Sequence, residues 1–503
     1  MKKGFIVLLV LFLLLAGTSV FAAGDKEVSE TSEGPVKVRW LIPGSEPTHV
    51  EDDAMVMEAV NSKMQADGYN LEIEVVRIPW DVWQQKTSLM MATGEEFEMF
   101  HIMEDQTAFA HYVGQGALVP LNDYIDEYGP NLKKKFPDWV WDATKVDGKI
   151  YVVPAFWAEQ TNAIDCFTIR YDWLRENNLS IPSTPAELLD SLEIVQNNWS
   201  GEGEKPYFIK RTRDNTAFFL HRAYDSFPFS VFQKLIYIDQ KGNVKSWIET
   251  EEFKNDVDFF REGYTRGLIH PDIMGQPSGW IWNRIREGNF LYRSGCPLDL
   301  FGEMQVNNPG MVEGDVGSPI FNPDGEIMRY YGVKNSNGIS STSPHPEAAV
   351  QFLDWLYTNQ ENFDLFVYGI EGKHWIDKGP HKIERLRDSD NKTLYGQSEW
   401  MIGNVDYIRY QTSTHPRRVE LMSQVNDDAE NSIIIGFVFD PSAVEAEYSN
   451  CLNELEVSVL PMRMGLVSYE DGYAKALSNM KAAGIDKVIA EYTKQFDAWL
   501  AAK

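Results

Sequence analysis

Cysteine is nearly missing from this chain of 503 residues: Cys166, Cys296 and Cys451 are its three, each more than a hundred positions from the next. They allow at most one disulfide and form no metal spacing, so the fold must be held by its core. Positive charge is scarce too, with 46 Lys and Arg against 75 Asp and Glu and a formal net charge of −29. That balance disfavours nucleic acid or an anionic membrane as partner, because phosphate binding draws its affinity from Lys and Arg. The nine histidines show no zinc spacing, which argues against a metal enzyme, and no cofactor is expected. Repeats and stalk-like Ser/Thr/Pro tracts are absent, and so is any apolar run long enough to cross a bilayer.

The longest apolar run, Phe5 to Leu15, sits at the start behind Lys2 and Lys3 and ahead of the small residues Ala22-Ala23. It reads as a cleaved secretory signal peptide over residues 1–23. "LLLAGTS" resembles a bacterial lipoprotein signal, but Thr18 stands where the acylated Cys would be, so no stable membrane anchor is expected. The expectation is a soluble periplasmic monomer. Residues 24–35 are polar and acidic, a disordered lead-in.

From Val36 strands and helices alternate: "VKVRWLI", a helix stopped by Gly68, "LEIEVVRI", and a helix stopped by Gly94. Such alternation predicts a parallel sheet with helices on both faces, and ligands then sit beyond the carboxyl ends of the strands. In "WDATKVDGKIYVVPAFW", Asp147-Gly148 reads as a hairpin turn and Ile150 to Val153 as a central strand, with Pro154 marking its exit. Two aromatics, Phe156 and Trp157, follow at once. Further on, Thr184 is placed to cap the helix "PAELLDSLEIV".

Four blocks resemble the bacterial extracellular solute-binding proteins of family 1: "VGQGALVPLNDYI", "WDATKVDGKIYVVP", "NRIREGNFLYRSGCP" and "GVKNSNGISSTSPHPEAAVQFLDWL". "YGIEGKHW" and "MKAAGIDKVIAEYTKQFDAWL" are similar to its subgroup of large, LipO-like sugar-binding lipoproteins, which carry a C-terminal domain of their own. The resemblance implies an α/β, two-lobed type II binding protein with an interlobe hinge. Lobe 1 would hold residues 36–153 and a return segment 321–378, lobe 2 residues 154–320, and a mainly helical C-terminal region residues 379–503. It implies a receptor for an ATP-driven importer that delivers an oligosaccharide to membrane permease subunits. An aromatic content of 13% and the length favour an oligosaccharide over a monosaccharide. The alternatives are a secreted glycoside hydrolase, for which no carboxylate pair stands out, and a receptor for a non-sugar solute such as a peptide.

Candidate ligand contacts follow from strand ends. The first lobe offers Glu46, Trp80, Asp81, Glu104 and Asp105, and the resemblance places Trp157 at the cleft mouth beside the hinge. The second lobe offers Glu159, Arg213, Trp280, Ser294 and Asp299, and the return segment Tyr331 and Trp375. Aromatics suit the apolar face of a pyranose and polar groups its hydroxyl rim. Each has a plainer reading: a solvated carboxylate, an ion-paired arginine, or, for Trp375, a packing anchor. "DSDNKTLYGQSE" sets acids at positions 1, 3 and 12 of a calcium loop, but Lys392 and Thr393 break the pattern.

Overall fold

A computed structural model describes residues 34–104, 106–155, 167–209, 218–294, 297–420 and 429–502. The expected signal peptide and nearly all of the lead-in lie outside the described residues. Among those described, no helix is long and apolar enough to cross a membrane. Val36 onward forms one compact unit.

Lobe 1 is built on a five-stranded sheet ordered Leu71–Ile78, Val36–Pro43, Met99–Met103, Asn335–Ile339, Val152–Ala155. The first three strands are parallel. Asn335–Ile339 runs antiparallel to both of its neighbours, so the sheet is mixed rather than parallel. The reason is topological: this strand re-enters the lobe from the carboxyl edge, after the excursion through lobe 2, and must run backwards. Val152–Ala155 is also an edge strand, not a central one, and Pro154 lies inside it opposite Ser336. An edge position lets a residue without an N–H sit in the ladder. The strand is nonetheless wholly buried, and that burial is what an unbroken apolar run records. Asp147 and Gly148, both at positive φ, close the hairpin Lys145–Val146 to Lys149–Ile150.

Helices cover both faces of this sheet. Val50–Ala66 buries Val56, Val60 and Met64, one stripe at helical spacing, in a core shared with helix Pro346–Thr358. The opposite face packs Phe100 and Ile102 against Trp83, Met90, Phe109 and Tyr112.

Lobe 2 holds a four-stranded sheet, ordered Val316–Gly317, Phe167–Arg170, Tyr292–Ser294, Phe208–Ile209, and a meander of Phe229–Phe232, Ile236–Asp239 and Val244–Ser246. Thr184 caps helix Pro185–Asn197 by accepting from the Glu187 amide at 3.2 Å. The chain returns to lobe 1 through residues 318–334, whose Met328–Arg329 pairs with Glu430–Asn431.

The C-terminal region is not one helical piece. Residues 375–411 carry the strands Trp375–Asp377, Lys382–Arg385 and Tyr410–Gln411 and put Ile383, Tyr395, Met401, Ile402 and Ile408 into the core of lobe 1. The helices beyond residue 440 do not stand alone either: Tyr448, Val459, Met462, Met480, Tyr492 and Phe496 share a core with the lobe 2 meander.

Candidate functional site

The crossing into lobe 2 leaves the lobe 1 sheet after Ala155, and the return crossing enters it at Asn335; both join the same edge, where the parallel strands end. That edge therefore faces the other lobe. Glu46, beyond strand Val36–Pro43, and Asp81, beyond strand Leu71–Ile78, are exposed there. Trp80 is 39% exposed, a large apolar surface left in water. Its indole stacks on Trp400, with ring centroids 6.1 Å apart and planes at 24°. Trp400 in turn stands edge-on to His101, centroids 4.9 Å apart and planes at 80°.

Behind these rings lies a buried polar network. Asn337 Oδ1 accepts from Trp40 Nε1 at 3.1 Å and lies 3.3 Å from His101 Nδ1. An amide oxygen only accepts, so His101 carries its proton on Nδ1. Burial, against hydrogen bonds to Asn337 and Asn335, pulls the His101 pKa down to about 4, and the ring is neutral at pH 7. Asn337 Nδ2 donates to the Met401 carbonyl at 2.8 Å, and the Tyr357 hydroxyl to the Ile402 carbonyl at 2.6 Å. Two hydrogen bonds thus hold the turn that presents Trp400.

Glu104, at the end of Met99–Met103, is half-buried. Its Oε2 accepts from the Phe109 amide at 3.1 Å, at the start of helix Phe109–Gly114. Its carbonyl accepts from Gln233 Nε2, a direct tie from the lobe 2 meander to the lobe 1 edge. Tyr331 is half-buried in the return crossing.

The structure places Trp375 elsewhere than at the cleft. It is 4% exposed, its Nε1 donates to the Gly369 carbonyl at 2.8 Å, and the Arg409 guanidinium lies 5.2 Å from its ring. The ring is an anchor for the lobe 1 core. Trp280, on helix Ser278–Arg286, is half-buried with His270 and Arg284 around it, 5.3 and 5.5 Å from its ring. Ser294 ends strand Tyr292–Ser294 and Asp299 lies in the turn Pro297–Leu300. Asp105, Trp157, Glu159 and Arg213 lie outside the described residues. So the structure gathers Glu46, Trp80 and Asp81 on one edge and adds Trp400, His101 and Asn337. The one sequence signal for His101 was a lone imidazole in the apolar strand "MFHIM". In the broken calcium pattern, Asp388 Oδ1 is taken by the amides of Asp390 and Lys392 at 2.9 and 2.8 Å. No group of three or more metal-ligating side chains gathers among the described residues.

Residues 47–168 match the family of bacterial extracellular solute-binding proteins. Residues 433–501 match a domain of unknown function, DUF3502. Among curated relatives, a carbohydrate ABC transporter substrate-binding protein of Streptococcus pneumoniae is 21% identical over 97% of this chain and 95% of its own length. Lipoprotein LipO of Bacillus subtilis is 22% identical over 56% of this chain and 54% of its own. Among solved structures, the N-glycan transport solute-binding protein of S. pneumoniae in complex with Man5GlcNAc superposes with a TM-score of 0.72 at 20% identity. That match covers 93% of this chain and 99% of the other, and it establishes the two-lobed solute-binding fold, with the helical C-terminal part included.

Proposed function

We propose that this solute-binding protein is the receptor of an ATP-driven carbohydrate importer, taking an oligosaccharide between its lobes and handing it to membrane permease subunits. One observation carries the reading: the likeness to a carbohydrate substrate-binding protein runs through 97% of the chain, both lobes and the C-terminal part together. The site supports it, since an exposed tryptophan flanked by carboxylates on the lobe-facing edge offers stacking and hydrogen bonding at once. Glu46, Trp80 and Asp81 grip the sugar from lobe 1, completed by Asp105, Trp157, Glu159 and Arg213. The sugar is bound without being cut. The protein works outside the cytoplasmic membrane as a monomer, exported by residues 1–23 and, with Thr18 in place of the acylated Cys, not lipidated.

A thermal-shift screen over plant and microbial glycans tests this, because ligand bound only to the native state adds RT ln(1 + [L]/Kd) to stability. A shift with oligosaccharides that stay intact is expected. Shifts with peptides alone, or cleavage of the sugar, would contradict it.

A further inference from the structure

We propose that Trp80 and Trp400 form a two-tryptophan platform on lobe 1 that stacks an uncharged sugar ring, with Trp80 the contact and Trp400 the positioning residue. The proposal deepens the receptor reading and rests on it. A tryptophan left 39% exposed at the edge facing the other lobe keeps a broad apolar face in water, which is unfavourable until something covers it. Val82, two residues on, is 38% exposed, so the apolar surface continues past Trp80.

A single exposed indole would lose side-chain freedom on binding a ligand. Here that loss is reduced beforehand, because Trp400 lies parallel to Trp80 within 24° and fixes its orientation. Trp400 is itself fixed: Asn337 Nδ2 holds the next residue's carbonyl at 2.8 Å, and the His101 ring edge supports the indole at 4.9 Å. These contacts join residues 80, 101, 337 and 400, four separate passes of the chain, at one point on the rim.

The surroundings select against acidic sugars. Glu46 and Asp81 are exposed at the ends of adjacent parallel strands, and the imidazole behind Trp400 is neutral. A uronate placed on this platform meets like charge, whereas a neutral pyranose offers its C–H face to the ring and its hydroxyls to the two carboxylates.

The test uses the full chain with Trp80→Ala, Trp400→Ala and Trp400→Phe, and three probes: Man5GlcNAc, kestose and a mannuronate trisaccharide. Calorimetry gives affinity, and far-ultraviolet circular dichroism follows the exciton couplet of two stacked indoles. We expect Trp80→Ala to weaken binding of the neutral sugar at least about tenfold. Trp400→Ala should weaken it about three- to tenfold by loosening Trp80, and Trp400→Phe should restore most of that, because a ring still stacks. The couplet should vanish in both alanine variants and change when the wild-type chain takes up sugar. The mannuronate probe should bind more weakly than the neutral ones. Unchanged affinity in Trp80→Ala, or tighter binding of the mannuronate probe, overturns the platform and leaves the receptor reading standing. A wild-type chain indifferent to all three probes overturns the sugar reading and the platform with it.

Discussion

Residues 375–408 and 439–496 follow one another along the chain, yet the first set completes the core of lobe 1 and the second the core of lobe 2. The manner differs as well. The lobe 1 addition consists of short strands and turns, pinned by side chains to backbone: Trp375 to Gly369, Tyr395 to Phe366, Tyr357 to Ile402 and Asn337 to Met401. The lobe 2 addition is helical and supplies bulk, packing Tyr448, Met480, Tyr492 and Phe496 in one core with Phe229, Ile236 and Ile238 of the three-stranded meander and with Trp247 just after it. A small sheet draws its stability from burying an apolar face, and these helices bury this one. The domain of unknown function is, physically, the second half of a lobe 2 core, whereas residues 375–408 also deliver a ring to the rim. One addition is made for volume and the other for placement.

The largest expected effect breaks the bulk contribution. Phe496 is fully buried, and Phe496→Ala should cost about 3–5 kcal/mol. In urea unfolding followed by several probes, the lobe 2 transition itself should move. An independent appendage would instead melt in a separate step and leave that transition in place.

Acid comes next, because each lobe buries a neutral imidazole. Burial holds His101 at about 4 in lobe 1 and His221 at about 3 in lobe 2. Both folded values lie below the unfolded value of about 6.5, so the unfolded chain binds more protons as pH falls. This contribution is complete above about pH 6.5 and shrinks as pH drops toward 4, by about 3 kcal/mol for His101 alone. His101→Gln should flatten the fall in melting temperature between pH 7 and 4.5; a slope unchanged by the substitution would contradict the assignment.

Placement is broken more gently. Tyr357→Phe removes the hydroxyl that holds Ile402 at 2.6 Å and should cost about 1–2 kcal/mol. It should also loosen the Trp400 turn, read as a weaker exciton couplet. The smallest effect is at the tie between lobes: Gln233→Ala removes the donor to the Glu104 carbonyl, with about 1 kcal/mol or less expected. Amide exchange of the neighbouring backbone should rise locally while global stability barely moves.

Local pattern was enough to read the alternation from Val36 to Gly94, the Asp147-Gly148 turn and the Thr184 cap, because each depends on residues close in sequence. Strand direction was not legible, since Asn335–Ile339 runs backwards only because of where the chain had been before it. Nor was the edge position of Val152–Ala155, because a covered edge strand and a central strand are equally apolar. Trp80, Asp81 and Glu46 could be placed at the lobe-facing edge from strand ends alone. Trp400 could not, because its position is set by Asn337, more than sixty residues earlier in the chain. Trp375 misled for a related reason: an indole with a backbone carbonyl in reach is content in a core, and nothing beside it in sequence says so.

The central claim is that one oligosaccharide is held by both lobes at once, which favours a closed state by its differential affinity for that state. Small-angle scattering of the full chain, titrated with a glycan chosen by its thermal shift, tests this most directly. The radius of gyration should fall as the sites fill, along the same saturation curve that calorimetry gives. A ligand that saturates by calorimetry and leaves the radius of gyration unmoved would contradict the account.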